Sequence, residues 1–80
     1  MDIILQYLKE FLSDDDTSWD DEHVPEQARS LFTSWCLLNN ILPDTYQCDR
    51  ELTALYESGY IHEYNVTFDD FRKYMIEYLV

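Results

Sequence analysis

Asp14, Asp16, Ser18 and Asp20 recur at every second residue, the spacing with which an EF-hand loop presents oxygen ligands to calcium. The pattern breaks where that geometry is most demanding. Trp19 stands where the sharp turn needs glycine, and Pro25 stands where a bidentate glutamate closes the coordination shell. His23, Cys36, Cys48 and His62 carry zinc-compatible atoms, but 12, 11 and 13 residues separate them, without the short paired spacing by which zinc sites are recognised. A Cys-His pair with an acidic neighbour can be picked from any chain this rich in carboxylates, and nothing in the spacing fixes a geometry for it. There is no G-x-S-x-G and no glycine-rich phosphate cradle, since the chain has a single glycine. The expectation is a protein that is not an enzyme and that uses no cofactor and no metal.

What remains is charge. From Glu10 to Glu26 the chain holds Glu10, Asp14, Asp15, Asp16, Asp20, Asp21, Glu22 and Glu26 without one Lys or Arg, which is eight of its seventeen acids. Such a run has two readings. It can be a solvated loop whose charge only maintains solubility. It can also act as a surface that resembles a duplex backbone, with one charge per ~1.7 Å of axis, and competes for a basic nucleic-acid groove. Trp19 lies inside the run with no periodic partner, so it is either an apolar anchor ringed by charge, as at a binding hot spot, or a side chain that folds back onto the core.

These residues need a scaffold. Eighty residues form one domain, because a chain this short buries only about 60–65% of its unfolded surface and cannot support a second core. Hydrophobic residues make up 46% and aromatics 16% of it, enough apolar area to exclude wholesale disorder. One Gly, two Pro and no strand-like alternation point to an all-α fold, a compact bundle of about four short helices. The net charge of −12 makes nucleic acid and anionic membranes poor direct partners. No basic segment precedes an apolar run, and no apolar run nears the ~18 residues that span a bilayer, so the expected location is cytoplasmic. Two isolated cysteines, Cys36 and Cys48, fit reduced thiols there.

Ile4, Tyr7, Leu8, Phe11 and Leu12 place one stripe on a first helix over 2–12. An acidic loop over 13–24 follows, with one turn expected near Trp19. Pro25 suits the first position of a second helix running to about Asn40, with Ala28, Leu31, Phe32, Trp35, Cys36 and Leu38 inward. Asp44 or Asp49 can cap a third helix that buries Leu52, Leu55 and Tyr56, and Gly59 can close it in the left-handed conformation. Thr67 with Asp70 three residues on resembles a capping box, and Val66 can staple onto Phe71. The fourth helix then carries Phe68, Phe71, Met75, Tyr78 and Leu79. The Asn65-Val66-Thr67 glycosylation acceptor reads better as this cap. Of Tyr56, Tyr60, Tyr64, Tyr74 and Tyr78, most should lay their rings on the edge of the core.

Tyr7-Leu8, Leu42-Pro43, the Leu52/Leu55-Tyr56 stripe and Phe68-Asp69-Asp70-Phe71 with Tyr74 and Tyr78 resemble the layout of the small YozE SAM-like helical family. The resemblance implies a bundle like a sterile alpha motif, of unassigned biochemical role. No Lys follows Pro43, and Asp14 to Glu22 looks like an insertion relative to that pattern. In size and charge the chain also resembles small acidic phage-type inhibitors that mimic nucleic acid, anti-restriction and anti-CRISPR proteins among them.

The function expected from these features is occupation of the basic groove of a DNA- or RNA-handling protein. Asp14, Asp15, Asp16, Asp20, Asp21, Glu22 and Glu26 would supply the charge and Trp19 an apolar anchor. A SAM-like adaptor or self-associating module that binds a protein through an apolar patch is the alternative.

Overall fold

The computed structural model describes residues 2–80. The elements in chain order are α1 (Ile3–Leu12), α2 (His23–Leu38), α3 (Tyr46–Ser58), a 3-10 turn (Ile61–Tyr64), α4 (Phe68–Met75) and a closing 3-10 turn (Glu77–Leu79). The chain is an all-α bundle, with no strand among the described residues. No described helix is long and apolar enough to cross a membrane.

Local chemistry explains each boundary. Asp2 caps α1, its Oδ1 accepting from the N–H groups of Ile4 at 3.0 Å and Leu5 at 3.3 Å. The second helix starts two residues before the position expected for Pro25. The Asp21 carboxylate accepts the His23 N–H at 3.0 Å, so the helix is initiated from the acidic loop. Pro25 then falls at the third helical position, where its missing N–H still costs no intrahelical bond. Asn40 takes a left-handed φ of 56°, and the Ile41 N–H reaches back to the Cys36 carbonyl at 2.8 Å, the reversal that closes α2.

The third helix is capped by Thr45, whose Oγ1 accepts from the Cys48 N–H at 3.3 Å, and neither Asp44 nor Asp49 takes that role. Asp44 turns to Arg72 instead, and Asp49 sits in the first turn. Gly59 is not left-handed. It is extended, φ −89° and ψ 172°, because the chain runs on directly into the 3-10 turn. It is buried instead by a close approach, since a Cβ there would lie 3.1 Å from the Leu12 carbonyl oxygen. Thr67 caps α4 as expected, accepting from the Asp70 N–H at 3.2 Å, and α4 ends at Met75, short of Tyr78 and Leu79.

One buried cluster serves all four helices: Leu8 and Leu12 from α1, Phe32 and Cys36 from α2, Leu52 and Leu55 from α3, Phe71 and Met75 from α4. The inward face of α1 is centred on Leu5, Leu8 and Leu12, with Ile4 and Phe11 at its margin and Tyr7 in solvent. Leu31 is half-buried on α2, whereas Leu38 is exposed and Val24 takes a buried place. Tyr56, Tyr64 and Tyr74 are half-buried; Tyr60 and Tyr78 are exposed. Tyr56 donates its hydroxyl to the Val66 carbonyl at 2.6 Å, tying α3 to the start of α4.

The helix directions define two ends. Asn39, at the end of α2, donates its side-chain N–H to Asp2 Oδ2 at 3.2 Å, so α1 and α2 run antiparallel. The end of α3 lies against Leu12, next to the acidic loop. One end of the molecule therefore carries residues 13–22, and the other gathers the start of α1, the end of α2 and the start of α3.

Candidate functional site

The acidic loop is a chain of hydrogen-bonded turns. Ser13 ends α1 by donating its hydroxyl to the Lys9 carbonyl at 2.6 Å. Asp14 Oδ1 accepts the Asp16 N–H at 2.9 Å, and the Asp14 carbonyl accepts the Thr17 N–H at 3.0 Å, an Asx-type turn of the kind that stacked aspartates favour. The Asp21 N–H returns to the Ser18 carbonyl at 3.0 Å, and the Asp21 carboxylate then accepts the His23 N–H that opens α2.

Two further contacts hold the loop to the body. Trp19 turns inward and is half-buried. Its ring centroid lies 5.7 Å from Phe71 at a 58° tilt and 6.0 Å from Tyr74 at a near-perpendicular 78°, geometries that suit aromatic quadrupoles. The carboxylate of Asp15, beside Tyr60, holds that phenol above its ordinary titration range, and nearby Glu63 acts in the same direction.

Asp14, Asp15, Asp16, Asp20, Asp21, Glu22 and Glu26 are all exposed. No described ion pair involves any of them or Glu10. Four of the five Lys and Arg side chains are engaged elsewhere, and Lys73 forms no described ion pair. Lys9 and Arg50 pair with Glu51 at 3.4 and 3.3 Å, and Arg72 pairs with Asp49 at 2.9 Å and Asp44 at 3.5 Å. Arg29 pairs with Glu77 while lying 4.2 Å over the rings of both Tyr74 and Tyr78. The negative charge of Asp14 to Glu26 thus goes uncompensated by the chain's own side chains.

Among the described residues no three His, Cys, Asp or Glu side chains gather closely enough to hold a metal ion. His23 and His62 are exposed while Cys36 and Cys48 are buried, which separates that candidate zinc set as well. Cys36, enclosed by the core beside Cys48, is held above the usual thiol range, and Cys48 is held below it.

Sequence reasoning missed the role of Asp21 at the start of α2 and the Asp15–Tyr60 contact. The first had a local signal, an aspartate two residues before the first helical N–H. The second joins residues 45 positions apart and had none. Comparison of this chain with family models, curated proteins and solved structures finds no match.

Proposed function

We propose that this chain is a small acidic binding protein that inhibits or regulates a DNA- or RNA-handling protein by occupying its basic nucleic-acid groove, a mimic of the kind that phages and mobile elements direct at restriction or CRISPR nucleases. One observation carries this reading. Seven acids from Asp14 to Glu26 stay exposed and free of described ion pairs on a loop that hydrogen-bonded turns and a half-buried indole already hold in shape. A preformed loop avoids much of the ordering entropy that a disordered acidic run loses on binding. Uncompensated charge of one sign steers the protein toward a basic cleft and repels nucleic acid itself.

The test uses the acids that perform no structural task. Asp14 shapes a turn, Asp15 meets Tyr60 and Asp21 accepts the His23 N–H, whereas the carboxylates of Asp16, Asp20 and Glu22 accept no hydrogen bond among the described residues. In a pull-down from host lysate the wild-type chain should recover a nucleic-acid-binding protein at low salt and lose it near ~0.5 M salt, where the Debye length falls to a few ångströms. The triple variant Asp16→Lys, Asp20→Lys, Glu22→Lys should fold and recover nothing. A folded triple variant that still binds the same target would refute the proposal.

A further inference from the structure

Cys36 and Cys48 are both fully enclosed in the one core cluster, and both are free thiols. Short hydrogen bonds bring their backbones together. Cys36 stands in the last turn of α2 and Cys48 in the first turn of α3, and the seven residues from Asn39 to Thr45 fold back between them. The Cys36 carbonyl accepts the Ile41 N–H at 2.8 Å, the Leu42 carbonyl accepts the Thr45 hydroxyl at 2.7 Å, and Thr45 Oγ1 accepts the Cys48 N–H at 3.3 Å. Both side chains enter the same interior, where the thiols lie side by side. Their environments are unequal. Contact with Cys36 favours the Cys48 thiolate and the Arg72 guanidinium adds to it, against burial and the charges of Asp49 and Asp44. Contact with Cys48, and then burial, keep Cys36 protonated. One thiol disposed to ionise beside one held neutral is the arrangement of a nucleophile and its resolving partner.

We propose that Cys36 and Cys48 are a reversible redox pair, which a small-molecule disulfide converts into an internal disulfide that staples the end of α2 to the start of α3. The step is thiol–disulfide exchange. The Cys48 thiolate, its proton released to water, attacks one sulfur of the small disulfide, which forms a mixed disulfide and expels one small thiolate. Cys36 then loses its proton to water and attacks the Cys48 sulfur, which expels the second small thiolate. The two expelled thiolates take up the two protons, so the cysteines give up two electrons and the small disulfide becomes two thiols. Capture of Cys48 in the first half removes the negative charge that kept Cys36 protonated, and the second half follows. The oxidant enters where the connection lifts. Asn39, Asn40, Leu42 and Asp44 are exposed along it, and segments with few buried contacts open most readily.

The pair lies at the end away from the acidic loop, so the inference stands or falls apart from the loop's target. The folded full chain is incubated overnight with excess oxidised glutathione at mildly alkaline pH, then read by intact mass and thermal unfolding. The mass should fall by two hydrogens with no glutathione retained, and dithiothreitol should restore it. A disulfide compatible with the fold removes freedom from the unfolded chain. Closing the 13 residues from Cys36 to Cys48 should raise Tm by ~10–20 °C over the reduced form. Cys36→Ala should stall the exchange as a glutathione adduct on Cys48, and Cys48→Ala should leave Cys36 unmodified. The wild-type readouts decide the matter even where a variant loses its helical circular dichroism. Wild-type thiols that stay reduced overturn the inference. A lasting glutathione adduct on the wild type, a disulfide between chains, or an oxidised form that melts at or below the reduced one overturns it equally.

Discussion

Replacing Trp19 with alanine separates a side chain that holds the acidic loop from one that waits for a partner. An enclosed Trp buries about 150–250 Å², worth ~4–6 kcal/mol at ~25 cal/mol per Å². Trp19 is half-buried, which leaves ~2–3 kcal/mol. Its tilted contacts with Phe71 and Tyr74 add ~1 kcal/mol beyond area. A loss of ~3–4 kcal/mol is a large share of the stability of a domain this size. For 80 residues, at about 4–8 °C per kcal/mol, it should lower Tm by ~12–30 °C. Thermal unfolding followed by circular dichroism measures this directly, and limited proteolysis should show new cleavage between Asp14 and Glu22 below the melting range. A Tm change worth less than ~0.5 kcal/mol, the usual effect of an exposed substitution, would refute the claim that the indole fastens the loop. Loss of partner binding at unchanged Tm would assign Trp19 to the partner instead.

Gly59→Ala should destabilise the fold even though the backbone at φ −89° accepts alanine. The new Cβ would sit 3.1 and 3.2 Å from two backbone carbonyl oxygens, and the overpacking, ~1–3 kcal/mol, outweighs the ~0.4–1 kcal/mol entropic gain. A lower urea midpoint at unchanged m-value is expected, and a raised midpoint would contradict the close approach. Alkaline pH should weaken the protein. The carboxylate of Asp15 raises the Tyr60 phenol, and burial raises that of Tyr74. Both favour the neutral form in the folded state, so their contribution is complete below the unfolded value of ~10 and fades as pH rises through the higher folded values. Phenolate absorbance during titration should show two tyrosines ionising above the ordinary phenol range, and the absence of that late fraction would contradict both contacts.

How far the sequence could be read depended on the distance over which each feature is decided. The Thr67 cap and the end of α2 at Asn39-Asn40 are written within a few residues, and both stand. The starts of α2 and α3 were misplaced because several capping side chains lie side by side. Asp21 competes with Pro25 as a start signal, and Thr45, between the two candidate aspartates, takes the α3 cap. The uncompensated charge of the loop was legible in the absence of nearby cations. The inward turn of Trp19 was not, since Phe71 lies 52 residues on. Leu38 looked inward by periodicity, but it stands at the last residue of α2, where the bundle stops. Which side chains an end leaves uncovered depends on where three helices finish together.

The Trp19 contacts also set a time order on the molecule's appearance. Synthesis delivers the acidic loop first, and Phe71 and Tyr74, the rings that receive its indole, follow 52 and 55 residues after Trp19. Until then the loop is an untethered acidic strand, able to attract cations without holding a shape. A truncated product lacking α4 would keep nearly all the loop's charge and forfeit its form. The tethered face is thus displayed only once α4 has been made, and fragments lacking α4 compete poorly for any target that reads shape as well as charge.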